Sequence, residues 1–214
     1  MFFLGFFLLS GYFFRLWISG FLGLHADEVY YWTWAQNLKL GYYDHPPMIA
    51  WMIAAGESLI HFLVPKDIFS VSPLFWGAIA IKTVPLFVGT VLVPLLLGRS
   101  IEWVQNRPLG NDQIAILLTS PLIVFFPQIV TPDIPLFFGW SLVLLISIRL
   151  MRSQQRREGI FFTKFYWSWS ILLGLALAFS AYSKYSAILV AFLAFATATG
   201  FWNALVASVV CALC

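Results

Sequence analysis

Few residues in this 214-residue chain can do polar chemistry, and the most suggestive lie in four short motifs. The first is Ala26-Asp27-Glu28-Val29-Tyr30-Tyr31-Trp32. Its pattern predicts a helix capped by Asp27 and ending near Gly41. A carboxylate there is favoured by free amide donors and the positive end of the helix dipole. At the mouth of a low-dielectric site it is a candidate general base. The bland alternative is a cap on an interfacial helix rich in Tyr and Trp.

The second motif, Gly41-Tyr42-Tyr43-Asp44-His45-Pro46-Pro47, sets an acid and an imidazole on a backbone stiffened by two prolines. Such rigidity suits positioning of a metal or a phosphate, although a simple loop-to-helix junction has the same pattern. Tyr31 and Tyr43 are candidate aromatic contacts for a substrate. The third motif, Thr131-Pro132-Asp133-Ile134-Pro135, sets an acid at the start of an apolar run, as a cap or as a site residue. The fourth is Lys184, between Ser183 and Tyr185: either a snorkelling lysine or a point charge for a lipid-linked phosphate. His25, His61, Lys82 and Arg15 read as ordinary interface residues.

The elements that must hold these motifs are membrane helices. Hydrophobic residues make up 61% of the chain and charged ones 10%, too few to cover a soluble domain that averages about 25% charged. The expected fold is therefore an all-α, polytopic transmembrane helix bundle, with no alternating pattern for a barrel. About six spans are predicted: Phe2–Leu24, Ile79–Ile101, Ile114–Ile129, Pro135–Leu150, and two within Trp167–Cys214. Met48–Val64 is short and interrupted by Glu57 and His61, so it reads better as an interfacial helix in the first external loop. Phe2–Leu24 lacks a basic leader region and carries Arg15, so it is expected to be a retained span rather than a signal. Cys211 and Cys214 read as membrane-buried thiols. The apolar run is still open at Cys214, so residues 1–214 are expected to be the N-terminal part of a longer transmembrane domain.

Arg149, Arg152, Arg156 and Arg157 mark one loop as cytoplasmic, with Arg99 and Arg107 on the same side. Counting from there, Asp133 and Lys184 emerge on the external face. If Met48–Val64 stays in the interface, Asp27, Glu28, Asp44 and His45 join them. No basic stretch suited to nucleic acid appears.

Taken in order, D-E-x-Y-Y, G-Y-Y-D-H-P-P, T-P-D-x-P and G-L-A-L-A-F-S-A-Y-S-K-Y resemble one family. They are similar to membrane glycosyltransferases of the GT-C type, which include protein O-mannosyltransferases and aminoarabinose transferases acting on lipid A. The resemblance implies an inverting transferase that uses a polyprenyl-phosphate-sugar donor. The acceptor would be a lipid, glycan or protein, reached on the periplasmic face of a bacterial inner membrane. It implies that Asp27 and its neighbour Glu28 are catalytic, and that Asp44, His45, Asp133 and Lys184 bind substrate. In some relatives the position of Asp44 binds a divalent metal. Relatives are longer and usually carry a C-terminal external domain. Two other readings remain at this stage: a transporter or flippase of lipid-linked substrates, and an inactive truncated copy. Transporters favour ionisable groups near the midplane and inverted repeats, neither of which is visible.

Overall fold

The chain is described from a computed structural model, in which residues 2–154, 159–189 and 191 are described. It is a helical bundle, as the composition demands: a backbone surrounded by hydrocarbon must satisfy its own hydrogen bonds. Among the described residues three helices are long and apolar enough to cross a membrane: Phe3–Leu22, Pro73–Gln105 and Asp133–Arg152.

Helix α1 spans Phe2–Leu22 and ends where Gly23 takes φ +72°, a left-handed conformation that suits glycine. Helix α2 follows over Ala26–Ala35. It stops short of the expected Gly41 because the chain folds back on itself. The Tyr42 ring stacks on Trp34 at 4.6 Å, and the Tyr42 hydroxyl meets the Trp34 carbonyl at 2.9 Å. Helix α3, Met48–Leu63, starts immediately after the two prolines, and a short α4, Lys66–Val71, leads into the long rod.

That rod is Pro73–Gln105: α5 (Pro73–Phe87), a π-helical turn (Val88–Leu92), and α6 (Val93–Gln105). Pro85 and Pro94 bracket the wide turn, each withholding an N–H from the ladder. At 1.5 Å per residue the rod is about 50 Å long, against about 30 Å for a hydrocarbon core. Part of it must project or tilt.

The expected span Ile114–Ile129 is not one helix. It is broken into α7 (Asn111–Thr119), α8 (Pro121–Val124) and a 3-10 turn at Phe126–Gln128. Pro121 and Pro127 remove two donors, and Arg15 reaches across from α1 to bind the Ile123 carbonyl at 3.1 Å. Arg15 is thus a tie between α1 and the broken segment, with a second contact to Thr90 in the π turn. It is not a surface residue of the interface. Helix α9, Asp133–Gln154, packs along α6, and α10, Gly159–Ser183, packs along α9. The expected span beyond Lys184, with Cys211 and Cys214, lies outside the described residues.

α3 and α9 divide the rod between them. α9 starts beside the π turn, with Ile134 next to Gly89, and follows α6 to Asn106, where Arg152 donates to the Asn106 side chain. α3 runs antiparallel to α5, from Met52 beside Val88 and Ile134 to Ile60 beside Ile79. Gly56 makes this approach possible, since a Cβ there would collide with the Ala80 carbonyl. α3 therefore lines the half of the rod that α9 leaves free, on the side of the first loop. The joint between the two halves is where the polar motifs meet.

Candidate functional site

The cap of α2 is His25, not Asp27. The His25 imidazole accepts from the Asp27 N–H at 3.3 Å, while the Glu28 carboxylate accepts from the His25 N–H at 2.7 Å. This reciprocal cap leaves the Asp27 carboxylate without a backbone bond; it stands in the first turn, 63% exposed, with one oxygen 3.7 Å from the His25 Nδ1. The adjacent acid points the other way. Glu28 is completely buried, shares an ion pair with Lys82 of α5 at 3.0 Å, and accepts the Val130 N–H at 2.8 Å.

Lys82 completes the link by donating to the Gln128 carbonyl at 3.3 Å. The sequence reading made Glu28 a partner in catalysis and Lys82 an interface lysine. In the structure both are sealed, and together they clamp α2, α5 and the 128–130 segment. Glu28 thus holds the start of α2 beside Asp27 on one side and the segment leading to Asp133 on the other. A helical face could have revealed it, because Glu28, Trp32 and Ala35 are spaced to share one side of α2. Trp32 on that face donates its indole N–H to Glu57 of α3 at 2.7 Å. Glu57, which made Met48–Val64 a poor span, is thus a strut between α2 and α3.

Asp133 begins α9, and its carboxylate meets Lys184 rather than capping its own helix. The Lys184–Asp133 contact is 2.6 Å, joining residues 51 apart in sequence, and both side chains remain about a third exposed. Lys184 is placed by the break between α10 and the following 3-10 turn, Tyr185–Ala187, where its backbone turns extended. The expected convergence of the third and fourth motifs is therefore direct contact.

Tyr31 ties the first, second and third motifs together. Burial pushes its phenol above the usual 10.0, and the charges of Asp27, Asp133 and Asp44 push in the same direction. Tyr31 thus feels carboxylates from three motifs, and its hydroxyl stays protonated at neutral pH. Asp44 itself takes a hydrogen bond from Tyr30, which raises the Tyr30 phenol. His45 lies edge-on to Tyr31, ring centroids 6.2 Å apart, and its Nδ1 is buried with no partner. The Thr131 hydroxyl is a second buried polar atom without one. Tyr43 is fully exposed and does not join this group.

Among the described residues no three His, Cys, Asp or Glu side chains gather to hold a metal ion. Asp44, the expected ligand, accepts a hydrogen bond from Tyr30 at one of its two carboxylate oxygens.

The chain is similar to the lipid A galacturonosyltransferase RgtD of Rhizobium johnstonii, with 30% identity over 185 residues. That alignment covers 83% of this chain and 33% of the other protein, so the chain spans about a third of the length of the curated relative it matches. No family model matches the sequence. No solved structure matches it either.

Proposed function

We propose that this chain carries the catalytic first loop of a GT-C type glycosyltransferase that moves a sugar from a polyprenyl-phosphate-linked donor to a lipid acceptor. The observation that supports this most is the open Asp133–Lys184 pair, three residues on from Val130, whose N–H is held by Glu28 next to Asp27. The similarity to a lipid A galacturonosyltransferase supports a lipid acceptor. The excess of arginine at the opposite end supports an external, periplasmic position for this site in a bacterial inner membrane.

In this reading Asp27, exposed and free of backbone bonds, takes the proton of an acceptor hydroxyl as its oxygen attacks the anomeric carbon. The bond from that carbon to the phosphate oxygen breaks, and the polyprenyl phosphate leaves with the electron pair. Attack opposite the leaving group inverts the carbon. The Lys184 ammonium has donors left after pairing with Asp133, and the unpartnered His45 nitrogen is the second candidate for the phosphate. The neutral Tyr31 hydroxyl orients a sugar or acceptor oxygen. An isoprenoid tail needs an apolar surface continuous with the bilayer, and exposed Leu172 and Leu175 lie on the turns of α10 leading up to Lys184.

The donor class is the point to test. Membranes from cells expressing the protein, supplied with lipid A and a radiolabelled sugar, should label the lipid when the sugar is carried on a polyprenyl phosphate. Equal labelling from a nucleotide sugar, in membranes depleted of polyprenyl phosphate, would refute the donor assignment.

A further inference from the structure

At the end of the bundle away from Asp27, the α6–α7 turn and the last turn of α9 line a wide, open groove of about 530 Å³. Its walls carry Arg99, Arg107 and Arg152 against one acid, Glu102, with Trp103 and Pro108 as the apolar part. The acid does not neutralise the groove. Glu102 is buried, and its two oxygens are committed to Arg99 at 3.0 Å and to the Leu109 N–H at 3.3 Å. Three guanidiniums facing one carboxylate leave a net charge of +2.

The three arginines differ in what they have left to give. Arg152 is oriented by the Asn106 side chain, and Asn106 is held in a left-handed conformation, φ 57°, at the end of α6. Arg107 is exposed, and its side chain has no partner among the described residues. A planar guanidinium with free N–H groups matches phosphate oxygens two at a time. The level also fits a headgroup. The apolar windows of the Pro73–Gln105 and Asp133–Arg152 helices end here, and Arg149 lies over Trp103, 5.5 Å from its ring centroid, as amphipathic side chains do at a membrane boundary.

We propose that this groove binds the phosphate headgroup of an anionic glycerophospholipid, held mainly by Arg107 and Arg152 with the acyl chains running down the apolar sides of α6 and α9. It is a site separate from the Asp27 face and independent of the sugar-transfer reading. Basic pockets between spans are recognised sites for anionic headgroups, while a soluble anion would lack the apolar anchorage.

The test uses the whole chain in vesicles of phosphatidylcholine with or without phosphatidylglycerol, extracted in mild detergent, with retained lipid counted by native mass spectrometry. The wild-type protein should keep phosphatidylglycerol in preference to phosphatidylcholine. Arg107→Glu, an exposed change that breaks no contact, should lower that retention roughly fivefold or more, and Lys66→Gln should leave it unchanged. Adding inorganic phosphate at the lipid's concentration should displace nothing. Equal retention by Arg107→Glu, or displacement by inorganic phosphate, would overturn the proposal.

Discussion

Two lysine–carboxylate pairs hold the joint of this bundle, and they are built in opposite ways. Glu28–Lys82 is closed off, with side chains 0% and 8% exposed, and every oxygen of the acid is spent on the ammonium or on backbone N–H groups. Asp133–Lys184 is a third exposed on each side, with donors and acceptors to spare. A sealed pair cannot meet a substrate, and an open pair adds little to stability because water screens it. The difference makes the first pair architecture and leaves the second open to contact from outside. It also explains how adjacent acids, Asp27 and Glu28, can have unrelated tasks: a step of one residue on a helix turns the side chain by about 100°.

The sealed pair gives the largest effects on folding. Replacing only Lys82 by Met leaves a buried carboxylate without its cation and should cost about 3–5 kcal/mol, seen as a lower unfolding midpoint in detergent. Adding Glu28→Gln to Lys82→Met should recover part of that loss, because the amide oxygen still accepts from Val130 or His25 without a charge to bury. A double variant no better than the single one would refute the idea that the uncompensated charge sets the cost.

Next comes the packing that brings α3 against the rod. Gly56→Ala forces a methyl into the Ala80 carbonyl and should cost about 1–3 kcal/mol. It should also reduce transfer, since α3 carries the strut from Glu57 to α2. The open pair should behave in the reverse manner. Lys184→Gln should change stability by no more than about 1 kcal/mol and slow transfer by tenfold or more. Matching losses of stability for Lys184→Gln and Lys82→Met would erase the distinction between the pairs.

The smallest effect is a titration. Burial and three carboxylates favour the protonated Tyr31, so its folded-state pKa lies above the unfolded 10.0. The stability this contributes is complete below 10 and is lost as pH rises through the folded value. Ultraviolet absorbance of the phenolate, with Tyr31→Phe as the blank, should show Tyr31 ionising late. Asp133→Asn should bring its ionisation to lower pH by removing one of the facing charges.

Much of this arrangement was legible in the sequence. Apolar runs separated by basic turns gave the helices, and counting crossings from the Arg149–Arg157 loop put Asp133 and Lys184 on one side, where they touch. The first loop was legible in part. Asp27 and Asp44 were located, but the phase of α2 decides which of two neighbouring acids faces the core, and that depends on partners 50 to 100 residues away. Lys82 was passed over for the same reason: a lysine in an apolar run looks like a surface residue until its acid is known. The break within Ile114–Ile129 was hidden because apolar composition reports burial and not continuity, while Pro121, Pro127 and the reach of Arg15 determine the backbone.

The most direct measurement compares the two neighbours. Asp27→Asn and Glu28→Gln, each made singly, should be assayed for lipid-linked sugar transfer and for thermal unfolding. Removal of a general base predicts that Asp27→Asn loses about 10²–10⁴-fold in rate with an unchanged unfolding midpoint, whereas Glu28→Gln lowers the midpoint. Undiminished transfer by a folded Asp27→Asn protein would contradict the assignment.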